Sequence, residues 1–168
     1  MIFNMIQLDI DEEQRRSREL TDKAIELHED TDKPITCRGG GCFGCCSLDV
    51  SCFPEEVERL ADLVMSGEVD IDIERLRRRI QGSKKIADNW CPFLKDGDCS
   101  VHDSRPVMCS NMIVTSEPKH CHPISKIDKK QVIHKDSSNR YSFLALTYGQ
   151  VKLHIALFNI LLRNGYTK

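Results

Sequence analysis

Residues 91 to 109 read Cys91-Pro-Phe-Leu-Lys-Asp-Gly-Asp-Cys99-Ser-Val-His-Asp-Ser-Arg105-Pro106-Val-Met-Cys109, and this stretch decides what kind of core the chain has. The Cys-Pro-Phe-Leu and Cys-Ser-Val-His segments flank Asp96-Gly97, a pair suited to the left-handed backbone of a tight hairpin turn. Two short strands are therefore expected here, with Cys91 and Cys99 flanking them and brought side by side. Arg105-Pro106 punctuates the chain, and Val107 to Asn111 predicts a single helical turn carrying Cys109.

Working back toward the N-terminus, a second sulfur-rich stretch runs Cys37-Arg-Gly-Gly-Gly-Cys42-Phe-Gly-Cys45-Cys46. It has no periodicity and reads as a loop. Cys42 and Cys45 have the spacing with which a tight turn brings two sulfurs to one ion, and Gly39, Gly40, Gly41 and Gly44 suit backbone that wraps closely. If the local backbone is extended, adjacent Cys45 and Cys46 point to opposite sides and do not share one mononuclear ion. The chain has 9 cysteines, and the odd count together with no secretory signal at the start disfavours a disulfide scaffold. Clustered thiols in a reducing compartment point instead to metal ligation. Cys37, Cys42, Cys45 and Cys46 form one group and Cys91, Cys99, Cys109 and Cys121 another. Spacing is compatible with two four-thiolate sites or with one multinuclear site.

The rest of the chain supplies helices. Residues 11 to 29 predict an amphipathic helix with Leu20, Ala24 and Leu27 on its apolar face. A second helix is expected from the Ser51–Pro54 region, where Glu55 and Glu56 place acid at the positive dipole end. Val57, Leu60, Ala61 and Val64 form its stripe, and Gly67 ends it. A third, about 72 to 81, buries Ile73, Leu76 and Ile80. Short strands are expected around Val114 and 132 to 134. The apolar region 141–164 ends in a helix over roughly 147 to 163, with Lys152, Asn159 and Arg163 on its polar face and Asn164-Gly165 as its cap. With 168 residues, the expected architecture is α-rich α+β: one small domain over 1–168, helices around an irregular, metal-stapled cysteine-rich core spanning 37–121, and a short β-hairpin. A net charge of -2 gives no global pull toward nucleic acid, and the interrupted apolar stretches do not make a membrane span. A soluble, cytoplasmic protein is expected.

The joined pattern, Cys-x4-Cys-x2-Cys-Cys followed by Cys-Pro-Phe-Leu and then Cys99 through Arg105-Pro106 to Cys109, resembles the CxxCxxCC (YkgJ-type) cysteine-cluster family. The resemblance covers about residues 37 to 121 and implies zinc or iron chelation. It assigns the metal ligands to Cys37, Cys42, Cys45, Cys46, Cys91, Cys99, Cys109 and Cys121. It also matches Arg105, Pro106 and the helix-opening acid Glu56. The first gap is wider than the family's usual two residues. His102 stands where tyrosine is common, and Ser110 where arginine is common. Relatives include flagellin lysine methylases, so the resemblance also admits an iron–sulfur-dependent enzyme of redox or methyl-transfer type.

Other candidates have plainer readings. Cys52 lies outside the pattern and is expected to pack as a small hydrophobe. His102, His120 and His122 stand near matched cysteines, but loop histidines are more often simply exposed. Arg105 is expected to donate to thiolates or loop carbonyls beside the metal. Arg75, Arg78 and Arg79, with Lys84 and Lys85, form the basic patch; a solvated helix face is the expectation, with a metal-stabilised nucleic-acid module as the alternative. The C-terminal helix is expected in the core, with a protein partner or self-association as its other use. There is no phosphate loop, dinucleotide fingerprint or zinc-protease motif.

Overall fold

The computed structural model describes residues 9–28, 44–111, 113–114, 131–132 and 149–166. Its helices are α1 (Ile10–His28), α2 (Pro54–Met65), α3 (Ile73–Ile80), the one-turn α4 (Val107–Ser110) and α5 (Leu153–Arg163). Three antiparallel pairs of two-residue strands accompany them: β1 (Ser51–Cys52) with β6 (Val151–Lys152), β2 (Leu94–Lys95) with β3 (Asp98–Cys99), and β4 (Ile113–Val114) with β5 (Gln131–Val132). The domain is small and mostly helical, with the expected hairpin. Among the described residues no helix is long and apolar enough to cross a membrane.

The core lies where α2, α3 and α5 meet. Val57, Leu60, Ala61 and Val64 of α2 are buried as their spacing predicts, facing Leu76 of α3 and Leu153, Leu157 and Leu161 of α5. Pro54 opens α2, whose preceding residue Phe53 has no side-chain acceptor, so Glu56 reaches back instead and takes the Phe53 N–H at 2.9 Å. Asp72 caps α3 by accepting from the Arg75 N–H at 2.8 Å. Gly165, at φ +76°, closes α5 with the Asn164-Gly165 signal read in the sequence. Its N–H and that of Tyr166 bond back to Leu162 and Leu161.

Three expectations are corrected. The C-terminal helix begins at Leu153, not near 147, because Val151 and Lys152 are extended and pair with Cys52 and Ser51. Residues 133–148 lie outside the described set. On α1, Ala24 is buried, but Leu27 is 70% exposed and the buried line also holds Glu13, Gln14, Ser17 and Thr21. What covers α1 is the polar segment around α4. Ser17 Oγ donates to Asn111 Oδ1 (2.9 Å), Thr21 Oγ1 to the Ser110 carbonyl (2.9 Å) and Gln14 Nε2 to the Ser104 carbonyl (3.4 Å). Buried polar side chains need such partners, so a hydrophobic-face reading misplaces this helix. On α3, Arg79 is buried where Ile80 was expected to be the better covered residue.

His154 of α5 is buried, with Nδ1 3.8 Å from Asp49 Oδ1 and Nε2 without a hydrogen-bond partner. Burial, helped by the Arg79 charge and opposed by Asp49, pushes its pKa down to about 4 from an ordinary 6.5. The neutral ring is thus preferred in the fold by roughly 300-fold, worth about 3 kcal/mol. Since the folded value lies below the unfolded one, this stability is complete above pH 6.5 and is lost as pH falls toward 4. Urea unfolding of the wild type and His154→Gln should show their stability difference shifting by about 3 kcal/mol against the wild type between pH 7 and 4. A constant difference would mean that the ring charges without cost.

Candidate metal centre

Each described cysteine of the second group is rooted in the core by an apolar residue two positions away. Phe93, between Cys91 and Cys99, is 1% exposed. Val101 follows Cys99, Val107 precedes Cys109, and both are buried. The cysteines themselves are only half-buried, so they lie at the rim of the core that these anchors fill. The hairpin turns through Asp96 and Gly97, at φ 52° and 90°, which aligns Leu94 with Cys99. This left-handed pair is what the sequence predicts of Asp-Gly.

The two cysteine groups meet. The Cys91 N–H donates to the Cys46 carbonyl at 2.7 Å, joining the Gly44–Ser47 turn directly to the start of the hairpin segment. That turn is a 3-10 helix, not extended chain, which corrects the expectation that Cys45 and Cys46 point apart. Consecutive side chains on such a turn sit about 120° apart. The two thiols interact directly, and this contact, with burial, pushes the Cys46 thiol far up. Burial raises the Cys91 thiol to about 11, against the lowering charges of Arg79 and Arg75. Burial likewise raises Cys99, while Arg105 pulls it down, and it holds Cys109 well above the ordinary value. Cys45, Cys91 and Cys99 each act electrostatically on Cys109, so these thiols occupy one neighbourhood.

Five described thiols, Cys45, Cys46, Cys91, Cys99 and Cys109, therefore gather from three chain segments, and all are unbridged. Among the described residues no three donors stand in a closed ligand arrangement. Cys37, Cys42 and Cys121, with His120 and His122, lie outside the described residues. The donor set fits a thiophilic metal: half-buried sulfurs this close to one another can ionise together only if a cation compensates them. Cys52 sits apart. It is fully buried in the helical core, and its thiol is raised to about 12 by burial, as expected of a packing residue.

The surroundings of the thiols are where sequence reading missed most. Arg79 donates to the Asn89 carbonyl, to the Leu48 carbonyl at 2.9 Å, to the Ser47 carbonyl at 3.3 Å and to Asp49 Oδ1 at 3.1 Å. Arg75 Nη2 spreads over the carbonyls of Cys91, Pro92 and Leu94 at 3.2 to 3.4 Å. Arg78 Nε donates to Asp88 at 2.9 Å, a carboxyl that Ser83 and Arg78 hold below its usual range. Arg75 and Arg79 of this basic patch are thus turned onto the loops that carry Cys46 and Cys91, while Arg78, Lys84 and Lys85 are exposed, as expected of a solvated face. The available signal was the shared helical face of Arg75, Arg78 and Arg79, but their carbonyl partners are distant in sequence.

Two further contacts brace the Cys109 turn. Glu56, 1% exposed, accepts the Val107 N–H on Oε1 at 2.7 Å while its other oxygen caps α2. Burial raises its carboxyl despite these donors and the nearby Gln14 amide. Arg105 Nε donates to Ser110 Oγ (3.1 Å) and Nη1 to His102 Nε2 (2.7 Å). An acceptor role for Nε2 puts the imidazole proton on Nδ1, 3.6 Å from the Asp103 carboxylate. Among the described residues Arg105 bonds these two side chains, and its charge acts on Cys99.

A thiol-rich centre set on a small helical core defines a metal-chelating class of protein. The family model CxxCxxCC, described as "putative zinc- or iron-chelating domain", matches residues 36–138, well over half of the chain, and the chain belongs to that family. Comparison with curated proteins and with solved structures gives no match.

Proposed function

We propose that the chain chelates metal in a single polynuclear thiolate centre, either zinc or an iron–sulfur cluster, formed where its two cysteine groups converge. The observation that carries this reading is the 2.7 Å bond from the Cys91 N–H to the Cys46 carbonyl, which makes neighbours of segments 45 residues apart in the sequence. Cys45, Cys46, Cys91, Cys99 and Cys109 are the ligands within the described residues, and Cys37, Cys42 and Cys121 complete the set by pattern. One tetrahedral zinc takes four thiolates, fewer than gather here, and this favours more than one metal atom. When bound, the metal supplies the positive charge that lets buried thiols ionise. The protein's own groups shape and exclude water from the site: Phe93, Val101 and Val107 seat it on the core, while Glu56 and Arg105 brace the turn that carries Cys109. Arg75, Arg78 and Arg79 are engaged with the chain's own carbonyls and acids, which lends no support to a nucleic-acid surface there.

Elemental analysis after anaerobic purification tests this. Cys45→Ser, Cys99→Ser and Cys109→Ser should each lower metal per chain and destabilise the fold, because metal binding and folding are coupled in such sites. Cys52→Ala should keep full metal content and cost about 1 kcal/mol. Unchanged stoichiometry in the three serine variants would overturn the proposal. Brown protein absorbing in the visible blue identifies iron–sulfur; colourless protein with stoichiometric zinc identifies zinc.

A further inference from the structure

We infer that Arg79, assisted by Arg75, positions the metal centre by locking the two cysteine loops together; the inference rests on the chelating function proposed above. Arg79 is one side chain with partners on both loops. It takes the Ser47 and Leu48 carbonyls directly after Cys45-Cys46, and the Asn89 carbonyl two residues before Cys91. The residue is 8% exposed, and its planar fork is suited to bridging several carbonyls at once.

Among the described residues Arg75, one helical turn earlier, grips the second loop alone, through three carbonyls from Cys91 to Leu94. Its Nε is buried and has no hydrogen-bond partner. Unpaired buried donors are uncommon, and this one belongs to the guanidinium that already holds the Cys91 backbone. Arg75 and Arg79 thus act through the backbone of the ligand loops and through charge, and neither is a ligand.

The contrast between the two arginines makes the test specific. Lysine keeps the charge but offers a compact ammonium in place of the fork, so it cannot span both loops. Competition titration of the full chain with Co2+ against a chelator of known affinity should give Arg79→Lys at least a tenfold weaker site, as expected for groups that orient metal ligands, and Arg75→Lys a smaller loss of about threefold. The Co2+ ligand-field spectrum should also change shape in Arg79→Lys, a readout that general destabilisation does not move. Wild-type affinity and spectrum in both variants would overturn the inference, even if melting temperatures fall. Should Arg79→Lys fail to fold, Arg75→Lys decides alone: unchanged affinity there overturns the inference. A wild-type chain that takes up no metal would instead overturn the chelating function itself.

Discussion

Replacing Glu56 by Leu is expected to destabilise the fold by about 4 kcal/mol, because one buried carboxylate serves two separate backbone donors. Its two oxygens take the Phe53 and Val107 N–H groups at 2.9 and 2.7 Å, and each donor left without an acceptor in the interior costs about 1–3 kcal/mol. Leucine fills a similar volume, so the loss reflects the unmet donors and not a cavity. Glu56→Gln retains one carbonyl oxygen and turns an NH2 toward the other donor, so about half of the loss should remain. Urea unfolding gives the energies, and amide exchange at Phe53 and Val107 reports the mechanism, since both protons should exchange faster. A cost under 1 kcal/mol for the leucine variant would show that water or another group replaces the carboxylate.

Leu157→Ala should cost about 3–4 kcal/mol. Leu157 is fully buried on α5 in the cluster shared with α2 and α3, and truncation in such a position removes transfer energy and leaves a void that neighbours only partly fill. For a domain whose total stability is roughly 5–15 kcal/mol, this is a large fraction. Leu157→Met, which conserves volume, should stay within about 1.5 kcal/mol. The two variants compared by denaturant midpoint separate packing from polarity. Equal midpoints would mean that α5 is loosely seated on the other helices.

What was legible in the sequence was local. The Asp96-Gly97 turn specified its hairpin through the backbone conformation that those two residues accept. The stripe of Val57, Leu60, Ala61 and Val64 specified the buried face of α2 through helical periodicity alone, and Cys52, outside the cysteine pattern, was readable as core. The errors came from partners far along the chain. Val151 and Lys152 look like the first turn of an apolar helix until Ser51 and Cys52 are found beside them. Leu27 looks like a core residue until the partner of α1 is seen to be a polar turn offering Ser110 and Asn111. Arg79 reads as a surface charge because a carbonyl carries no sequence signature. The spacing that marked the cysteines as candidate ligands could not tell two sites from one, since the contacts that join the groups, such as the Cys91 N–H to the Cys46 carbonyl, link residues far apart in the sequence.

The pairing of β1 with β6, and the seating of α5 on α2 and α3, also impose an order in time. Ribosomes add about 5–20 residues per second, and roughly fifty residues separate Cys109 from the end of α5. For several seconds the nascent chain therefore presents reactive thiols on loops whose foundation has not yet been made. During synthesis those thiols are therefore displayed before the core that seats them has closed, and shielding them in that interval falls to the surroundings of the ribosome.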